Sequence, residues 1–202
     1  MKLFLDIETV PAEEKHHGVL KEIHARKLAN NRKISAKFED YLAATSFDGS
    51  FGRIICIGYA TDDKPVDVIA GTEKEILEKF WKIAKDATLF VGFNCLDFDL
   101  RFIYQRSVIN KIKPTVDLSF RRYYHDQIYD VMYEWTKWAY QQSVSLDTLA
   151  KALGIPSSKG GGIEGKDVAK AYKDGRIKEI CDYCKKDVEV TREIYKRMTF
   201  SK

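Results

Sequence analysis

Two acidic residues interrupt an apolar segment near the start of the chain, where residues 3–10 read Leu-Phe-Leu-Asp-Ile-Glu-Thr-Val. Large apolar and β-branched residues predict a short strand here. Side chains alternate across a strand, so Asp6 and Glu8 share one face. Apolar residues on both faces favour a central strand, in which two unpaired carboxylates would repel each other and would be costly to bury. Bound magnesium or manganese would remove that cost; an edge strand with a solvated acidic end is the alternative.

Two further acids could join this pair. Asp99 follows a predicted buried strand, residues 88–93, at the start of a helix. Asp187 lies on the predicted C-terminal helix one turn after Tyr183, so the two share a helix face. That face continues through apolar residues, which directs an acid and a phenol toward the core. Four acids at one end of a sheet would form a two-metal site.

The hydrophobic pattern predicts the elements that must position these groups. Besides the first strand, strands are expected at 52–60, 66–70 and 88–93, with a fifth near 128–132. Helices are expected at 72–84, after residue 94, and at 145–153, 168–172 and 177–198. Strands that precede helices, with crossovers between them, indicate a mixed α/β sheet.

A polar segment of about residues 11–47 separates the first two strands and has helical periodicity. We interpret it as a helical insert that could act as a lid or guide a substrate. Its basic residues could contact phosphates, although an exposed basic helix face is the preferred explanation. These residues are Lys15, Lys21, Arg26, Lys27, Arg32, Lys33 and Lys37.

Composition limits the class of protein. The 202 residues, 45% of them hydrophobic, predict one domain spanning residues 1–202. No apolar run could span a membrane, and the first strand leaves no room for a signal peptide. The four cysteines fit no secreted disulfide framework, so we expect a cytoplasmic location. A net charge of +4 permits a nucleic-acid partner without arguing for one.

Three motifs occur in a fixed order: Asp6-x-Glu8, Asn94-x-x-x-Phe98-Asp99 and Tyr183-x-x-x-Asp187. This set resembles the DEDD superfamily of 3′→5′ exonucleases. It is most similar to the tyrosine subclass (DEDDy), which includes the proofreading domain of family-B DNA polymerases. The flanking residues also resemble a stand-alone bacterial and archaeal group related to that domain. The histidine subclass would need a histidine where this chain has Asp182.

The resemblance implies a ribonuclease H-like α/β fold, with a central five-stranded mixed sheet flanked by helices. It also implies two Mg²⁺ or Mn²⁺ ions held by acids from all three motifs, and a tyrosine that orients the attacking water. The implied catalytic set is Asp6, Glu8, Asp99, Tyr183 and Asp187, and all of these except the tyrosine would be metal ligands.

Thr9, Asn94 and Phe98 would by the same resemblance line the groove for the terminal nucleotides, and Phe98 could stack on a base or pack in the core. The implied reaction releases nucleoside 5′-monophosphates from single-stranded 3′ ends, with DNA preferred over RNA as a substrate. Proofreading would need a separate polymerase or repair protein as a partner.

Two other functions compete with this interpretation. The first is a non-catalytic nucleic-acid-binding module on the same fold, which would have no reason to keep a repulsive acidic cluster. The second is a structure-specific endonuclease, against which Tyr183 and the Asn94-to-Asp99 motif argue.

Two motifs imitate other kinds of site. Residues 160–167 resemble a phosphate-binding Gly-x-x-x-x-Gly-Lys loop, but Asp167 stands where Ser or Thr should hold magnesium. We interpret the segment as a loop beside the substrate groove, with Lys159 or Lys166 as phosphate contacts. Cys181-x-x-Cys184 has no second cysteine pair, so ordinary reduced thiols are expected there rather than zinc or redox chemistry.

Two other acids have less certain roles. Asp97 is expected to cap the helix that follows it. Asp130 could either support the site or simply end an edge strand, and the second interpretation is slightly preferred.

Overall fold

A five-stranded mixed sheet forms the centre of the computed structural model, which describes residues 1–30, 32–121, 127–139, 141–160 and 162–201. The strand order is β3-β2-β1-β4-β5. β1 pairs antiparallel with β2 and parallel with β4, so the predicted first strand is central. The strands are β1 (Lys2–Val10), β2 (Arg53–Thr61), β3 (Asp67–Ala70), β4 (Leu89–Gly92) and β5 (Ile128–Asp130).

Eight α-helices are found among the described residues, and seven of them confirm predicted helices to within a few residues. The eight helices are α1 (His17–Ala29), α2 (Phe38–Ala44), α3 (Glu73–Ala84), α4 (Asp99–Ile109), α5 (Val131–Thr136), α6 (Leu146–Ala152), α7 (Val168–Lys173) and α8 (Ile177–Thr199). The helix Val131–Thr136 is not predicted, and it ends the expected fifth strand at Asp130. The helix α3 begins with a capping box, in which Thr72 and Glu75 each accept a hydrogen bond from the other's backbone N–H. In the part of the chain described, no helix is long and apolar enough to cross a membrane.

Both faces of the sheet are covered, which explains the apolar residues on both faces of β1. One face carries Leu3, Leu5 and Ile7 into a core with α3 and α4. The other face, to which Phe4 belongs, packs against α8 and α6. Asp6 and Glu8 belong to the α8 face, since side chains alternate along the strand. This arrangement confirms the central-strand interpretation and excludes the solvated edge.

The segment between β1 and β2 contains α1 and α2, as its periodicity predicts. It returns to the end of β1 through a 3-10 turn, Thr45–Phe47. Thr9 Oγ1 donates a hydrogen bond to the Ser46 carbonyl at 2.7 Å, and Ala12 N–H donates to Thr45 Oγ1 at 2.9 Å. The two ends of the segment are therefore joined beside the strand that carries Asp6 and Glu8.

The sheet opens at the carboxyl end of β1. The β1–β4 pairing covers only Lys2 to Phe4. Beyond it, β4 ends at Gly92 and the chain turns through Asn94, whose φ of +58° is left-handed. The backbone of β1 around Asp6 and Glu8 thus lacks a strand neighbour on the β4 side, and side chains from other elements can reach it.

Candidate active site

Three elements bring acidic side chains to this opening. Asp6 and Glu8 come from β1, Asp99 is the first residue of α4, and Asp187 lies in the middle of α8. Glu8, Asp99 and Asp187 are each at least nine-tenths buried, with exposures of 8%, 3% and 7%. The structure therefore places together the four acids that the sequence motifs indicate.

A backbone hydrogen bond fixes Asp99 to the first strand. Its Oδ1 accepts the Ile7 N–H at 3.0 Å, and Ile7 stands between Asp6 and Glu8. That N–H is free for a side chain because the β4 ladder has already ended. Burial raises the pKa of Asp99 to about 7, although this N–H and the residue's own N–H oppose the shift.

A close approach of α8 to the sheet brings Asp187 into the group. Gly58 of β2 lies opposite Asp6 in the ladder. A β-carbon on Gly58 would lie 3.0 Å from Cys184 Sγ and 3.0 Å from Val188 Cγ2. Glycine at this position therefore lets α8 approach the sheet at the level of Asp6.

Tyr183 and Asp187 share the α8 face that the sequence predicts, and they interact. The hydroxyls of Ser158 and Tyr183 and the charge of Lys159 lower the pKa of Asp187, but burial outweighs them and the net shift is upward. Burial and the negative charge of Asp187 in turn raise the pKa of Tyr183, so its phenol stays protonated near neutral pH.

The four carboxylates oppose ionisation within the cluster. Burial, then the charges of Asp99, Asp187 and Glu8, raise the pKa of Asp6 well above its usual range. Burial and the charges of Asp187 and Asp99 do the same for Glu8. Among the described residues, Asp187 Oδ1 is buried without a hydrogen-bond partner. An orphaned carboxylate oxygen facing further buried carboxylates fits a hard divalent cation such as Mg²⁺ or Mn²⁺.

Comparison with known proteins assigns the chain to a family. A family model described as a predicted 3′-5′ exonuclease related to the exonuclease domain of PolB matches residues 43–202. The chain belongs to this exonuclease family. An uncharacterized protein of Methanocaldococcus jannaschii is 26% identical over 152 residues, which are 71% of this chain and 84% of that protein.

The fold is also that of a polymerase exonuclease domain. The family B DNA polymerase from the hyperthermophilic archaeon Pyrobaculum calidifontis matches with a TM-score of 0.69 at 16% identity. The match covers 98% of this chain and 24% of the polymerase, so the chain spans about a quarter of that protein's length. The expected ribonuclease H-like α/β fold is thereby confirmed.

Three residues are predicted to bind substrate, and they differ in the contacts that they make. Thr9 is half-buried, and its hydroxyl is already bonded to Ser46. Asn94 is half-buried at the left-handed turn after β4. Phe98 is half-buried, with its ring centroid 5.6 Å from that of Phe102. Phe98 thus packs against the core, as one of its two interpretations expects, and its stacking on a base stays a prediction.

Sequence reasoning missed an aromatic side chain at the same opening. Phe47 is 75% exposed, and its ring centroid lies 6.4 Å from that of Phe98. It follows Ser46, which is tied to β1 through Thr9. The sequence signal for Phe47 is weak, since it is one phenylalanine in a polar segment. Phe47 is also far from the three motifs along the chain, so its proximity to Phe98 is not visible in the sequence.

Asp130 also has a larger role than the end of an edge strand. It does end β5 at the edge of the sheet, but it is 1% exposed and its carboxylate holds the turn after β4. Oδ1 accepts from Asn94 N–H at 3.0 Å, and Oδ2 accepts from Leu96 N–H at 2.9 Å. Oδ1 also caps α5 by accepting from Met132 and Tyr133. Asp130 therefore ends an edge strand, as the slightly preferred interpretation expects, and it also holds the turn that precedes Asp99.

The expected cap at Asp97 is wrong. The helix α4 has no side-chain cap. Asp97 instead forms an ion pair with Arg101 at 3.6 Å and accepts a short hydrogen bond from the Tyr133 hydroxyl. Its carboxylate is thereby turned to partners on the following helical turn and on α5 rather than to the N-terminal amides of α4.

The start of the glycine-rich loop lies next to the acidic cluster, and Gly161 lies outside the described residues. Ser158 is buried at the start of the loop and hydrogen-bonds Asp187. The exposed Lys159 acts on the same carboxylate through its charge. Lys166 is paired instead with Glu164 at 3.2 Å. Of the two lysines suggested as phosphate contacts, Lys159 is the one near the cluster.

Proposed function

We propose that this protein is a 3′→5′ exonuclease of the tyrosine subclass that removes nucleoside 5′-monophosphates from single-stranded 3′ ends. The convergence of four acids, three of them buried, and Tyr183 from β1, α4 and α8 carries the proposal. A module that only bound nucleic acid would gain nothing from this cluster, because phosphates would be repelled by it.

Asp6, Glu8, Asp99 and Asp187 would hold two Mg²⁺ or Mn²⁺ ions. Ions bound in this way activate water and stabilise the departing oxygen of a phosphodiester. The protein keeps Asp99 aligned with β1 through Ile7 N–H, and it leaves Asp187 Oδ1 available as a ligand atom. The hard carboxylate oxygens support Mg²⁺ or Mn²⁺ rather than a softer ion for catalysis.

Tyr183 would orient the attacking water by a hydrogen bond. Burial and the neighbouring acids raise the pKa of its phenol, so the side chain is a donor at neutral pH and a poor base. Its position one helical turn from Asp187 keeps the hydroxyl beside the acidic cluster.

The terminal nucleotides would lie against the exposed aromatic rings at the opening. Phe47 and Phe98 form a pair on which bases can stack, and stacking does not depend on sequence. Asn94 and the backbone at Thr9 would contact the same nucleotides, and Lys159 would meet a phosphate. We infer DNA as the preferred substrate, with RNA as the alternative.

We also propose that residues 1–202 work as a single exonuclease domain with an insert at about 11–47. The chain spans about a quarter of the matched polymerase, and we propose a polymerase or repair protein as the partner in any proofreading by residues 1–202. All four cysteines are free and buried, which supports a reducing, cytoplasmic setting.

A 5′-labelled single DNA strand incubated with protein and Mg²⁺ or Mn²⁺ tests the proposal. We expect a ladder that shortens from the 3′ end, abolished in Asp6→Ala and Asp187→Asn. Asp182→Asn, which changes an exposed acid on the same helix, is the matched control and should cleave normally. An intact but bound strand would favour the non-catalytic module, and a few internal cuts would favour an endonuclease. A matched RNA strand measures the substrate preference.

A further inference from the structure

The thiol of Cys184 lies inside the acidic cluster. Its Sγ is 3.4 Å from Asp6 Oδ2 and 3.4 Å from the Asp6 carbonyl oxygen. One carboxylate oxygen of Asp6, one of Glu8 and this sulfur all lie within 4.8 Å of one another. The side chain is fully buried. The predicted ordinary thiol is therefore in contact with a proposed metal ligand rather than isolated in the core.

Cys184 is held in this place by the sheet. Gly58 N–H donates a hydrogen bond to the sulfur at 3.2 Å. The missing side chain of Gly58 leaves the space that the sulfur occupies. The S–H group itself donates to Asp6, and loss of this proton gives the thiolate, which is the form that binds metals. The site thus contains a preformed sulfur donor whose position does not depend on a flexible side chain.

An orphaned polar atom in the same cluster also points to a cation. Asp187 is 7% exposed, and its Oδ1 has no hydrogen-bond partner in the described part of the chain. The charge of Asp187 raises the pKa of both Asp6 and Glu8, which places it close to them. The two carboxylates of Asp6 and Glu8 and the sulfur of Cys184 are a mixed donor set. Borderline-soft ions such as Zn²⁺ accept such a set, whereas Mg²⁺ and Mn²⁺ do not use sulfur.

We propose that Cys184, Asp6 and Glu8 form a binding site for a thiophilic divalent cation, Zn²⁺, which competes with the ions that support cleavage. The inference rests on the proposed function, because it shares Asp6 and Glu8 with the catalytic ion site. Binding replaces the sulfur–hydrogen bond of Cys184 by a sulfur–zinc bond, and the proton leaves to solvent. Occupation of the shared carboxylates by Zn²⁺ inhibits the enzyme.

Cadmium titration of the metal-free protein tests this site without using activity, because a cadmium–thiolate bond has an ultraviolet charge-transfer band. We expect the wild type to show the band with saturation at one equivalent. Cys184→Ser should lose the band and bind Cd²⁺ at least about 10-fold more weakly. Cys95→Ser, which changes a fully buried thiol in the core on the other face of the sheet, is the matched control and should keep the band.

Zinc inhibition of Mg²⁺-supported cleavage is the second measurement. Cys184→Ser should need at least about 10-fold more Zn²⁺ for half-inhibition than the wild type. A wild type without the cadmium band, or an equal band in Cys184→Ser, overturns the thiol site even if cleavage is normal. A normal band in a protein that does not cleave DNA with Mg²⁺ overturns the exonuclease proposal and leaves the cation site standing.

Discussion

Asp99 Oδ1 accepts a hydrogen bond at 3.0 Å from the N–H of Ile7, the residue between Asp6 and Glu8. The bond joins the first residue of α4 to the strand that carries the other two acids. One carboxylate oxygen of Asp99 is thereby used for positioning, and the side chain cannot rotate away without leaving a buried N–H unpaired. The relative placement of three of the four acids is set by backbone geometry.

Replacing Tyr183 by phenylalanine should slow cleavage but leave nucleic-acid binding intact. A hydrogen bond to a charged group contributes about 1.5–3 kcal/mol, so its loss should lower kcat by about 10- to 150-fold. The phenylalanine ring should stay half-buried, as the tyrosine ring is at this position of α8. Single-turnover cleavage and a separate binding titration check this. A Tyr183→Phe enzyme with full kcat would refute the role assigned to the hydroxyl.

Metal-free protein should be more stable at about pH 5 than at about pH 8. Burial raises the pKa of Asp99 to about 7, and the pKa values of Asp6, Glu8 and Asp187 are also raised. In the unfolded chain these groups titrate near pH 4. The folded state therefore retains protons that the unfolded chain releases, and stability decreases as pH rises from about 4 through about 7.

Melting temperatures measured with chelator across this pH range show whether stability decreases as pH rises. Added Mg²⁺ should raise the melting temperature most at the alkaline end, where the carboxylates are charged. Asp187→Asn removes one charge from the cluster and should flatten the profile. A melting temperature that rises with pH in the presence of chelator would contradict the raised pKa values of these four acids.

Removing the Asp130 carboxylate should destabilise the fold. It is 1% exposed and accepts hydrogen bonds from four backbone N–H groups. Asp130→Ala leaves these donors unpaired, and we expect the free energy of unfolding to fall by about 2–4 kcal/mol. Urea unfolding measures the change, with the exposed Asp182→Asn as control. A loss below about 0.5 kcal/mol would show that the turn after β4 does not depend on this carboxylate.

Phe47→Ala should weaken binding of single-stranded DNA and leave stability unchanged. The ring is 75% exposed, so its removal takes little from the core. Base–aromatic stacking contributes about 1–3 kcal/mol per base, which predicts a rise in Kd of about 5- to 150-fold. Fluorescence anisotropy with a labelled strand measures this. Phe200→Ala, which removes a 94% exposed ring at the end of α8, should bind normally, and equal effects of the two variants would argue against a stacking role.

Gly58→Ala should push α8 away from the sheet. The added carbon would meet Cys184 Sγ and Val188 Cγ2 at 3.0 Å. Such overpacking costs about 1–3 kcal/mol, and the shift of Asp187 should also weaken binding of Mn²⁺. Gly18→Ala on α1 has nothing within 4 Å of the new carbon and should be neutral or slightly stabilising. Unfolding and calorimetric Mn²⁺ titration distinguish the two variants.

Local sequence patterns were sufficient to predict which side chains of a single strand or helix share one face. The alternation along residues 3–10 placed Asp6 and Glu8 on one face of a central strand, and the one-turn spacing placed Tyr183 beside Asp187. Both inferences depend only on the repeat of a strand or a helix. The fold class followed from the order of strands and helices together with the three motifs.

Contacts between elements distant in sequence could not be predicted in the same way. Asp130 supports Asn94 only because β5 pairs with β4, and strand order is not visible in periodicity. Phe47 approaches Phe98 only because residues 45–46 return to β1. Cys184 meets Asp6 through the space left by Gly58. Each of these relationships is a property of the packed chain rather than of a motif.

The junction at Thr9 and Ser46 has a consequence for how the chain tolerates change. The segment between Thr9 and Ser46 leaves the sheet and returns to it at the same place, because its two ends are hydrogen-bonded to each other. The distance between its ends is therefore fixed, whereas the number of residues between them can vary. Shortening, lengthening or exchanging α1 and α2 would leave the register of β1 and β2 as it is, provided that residues 45–47 keep their turn. This part of the molecule is therefore a natural position for grafting a different recognition element beside an unchanged acidic cluster.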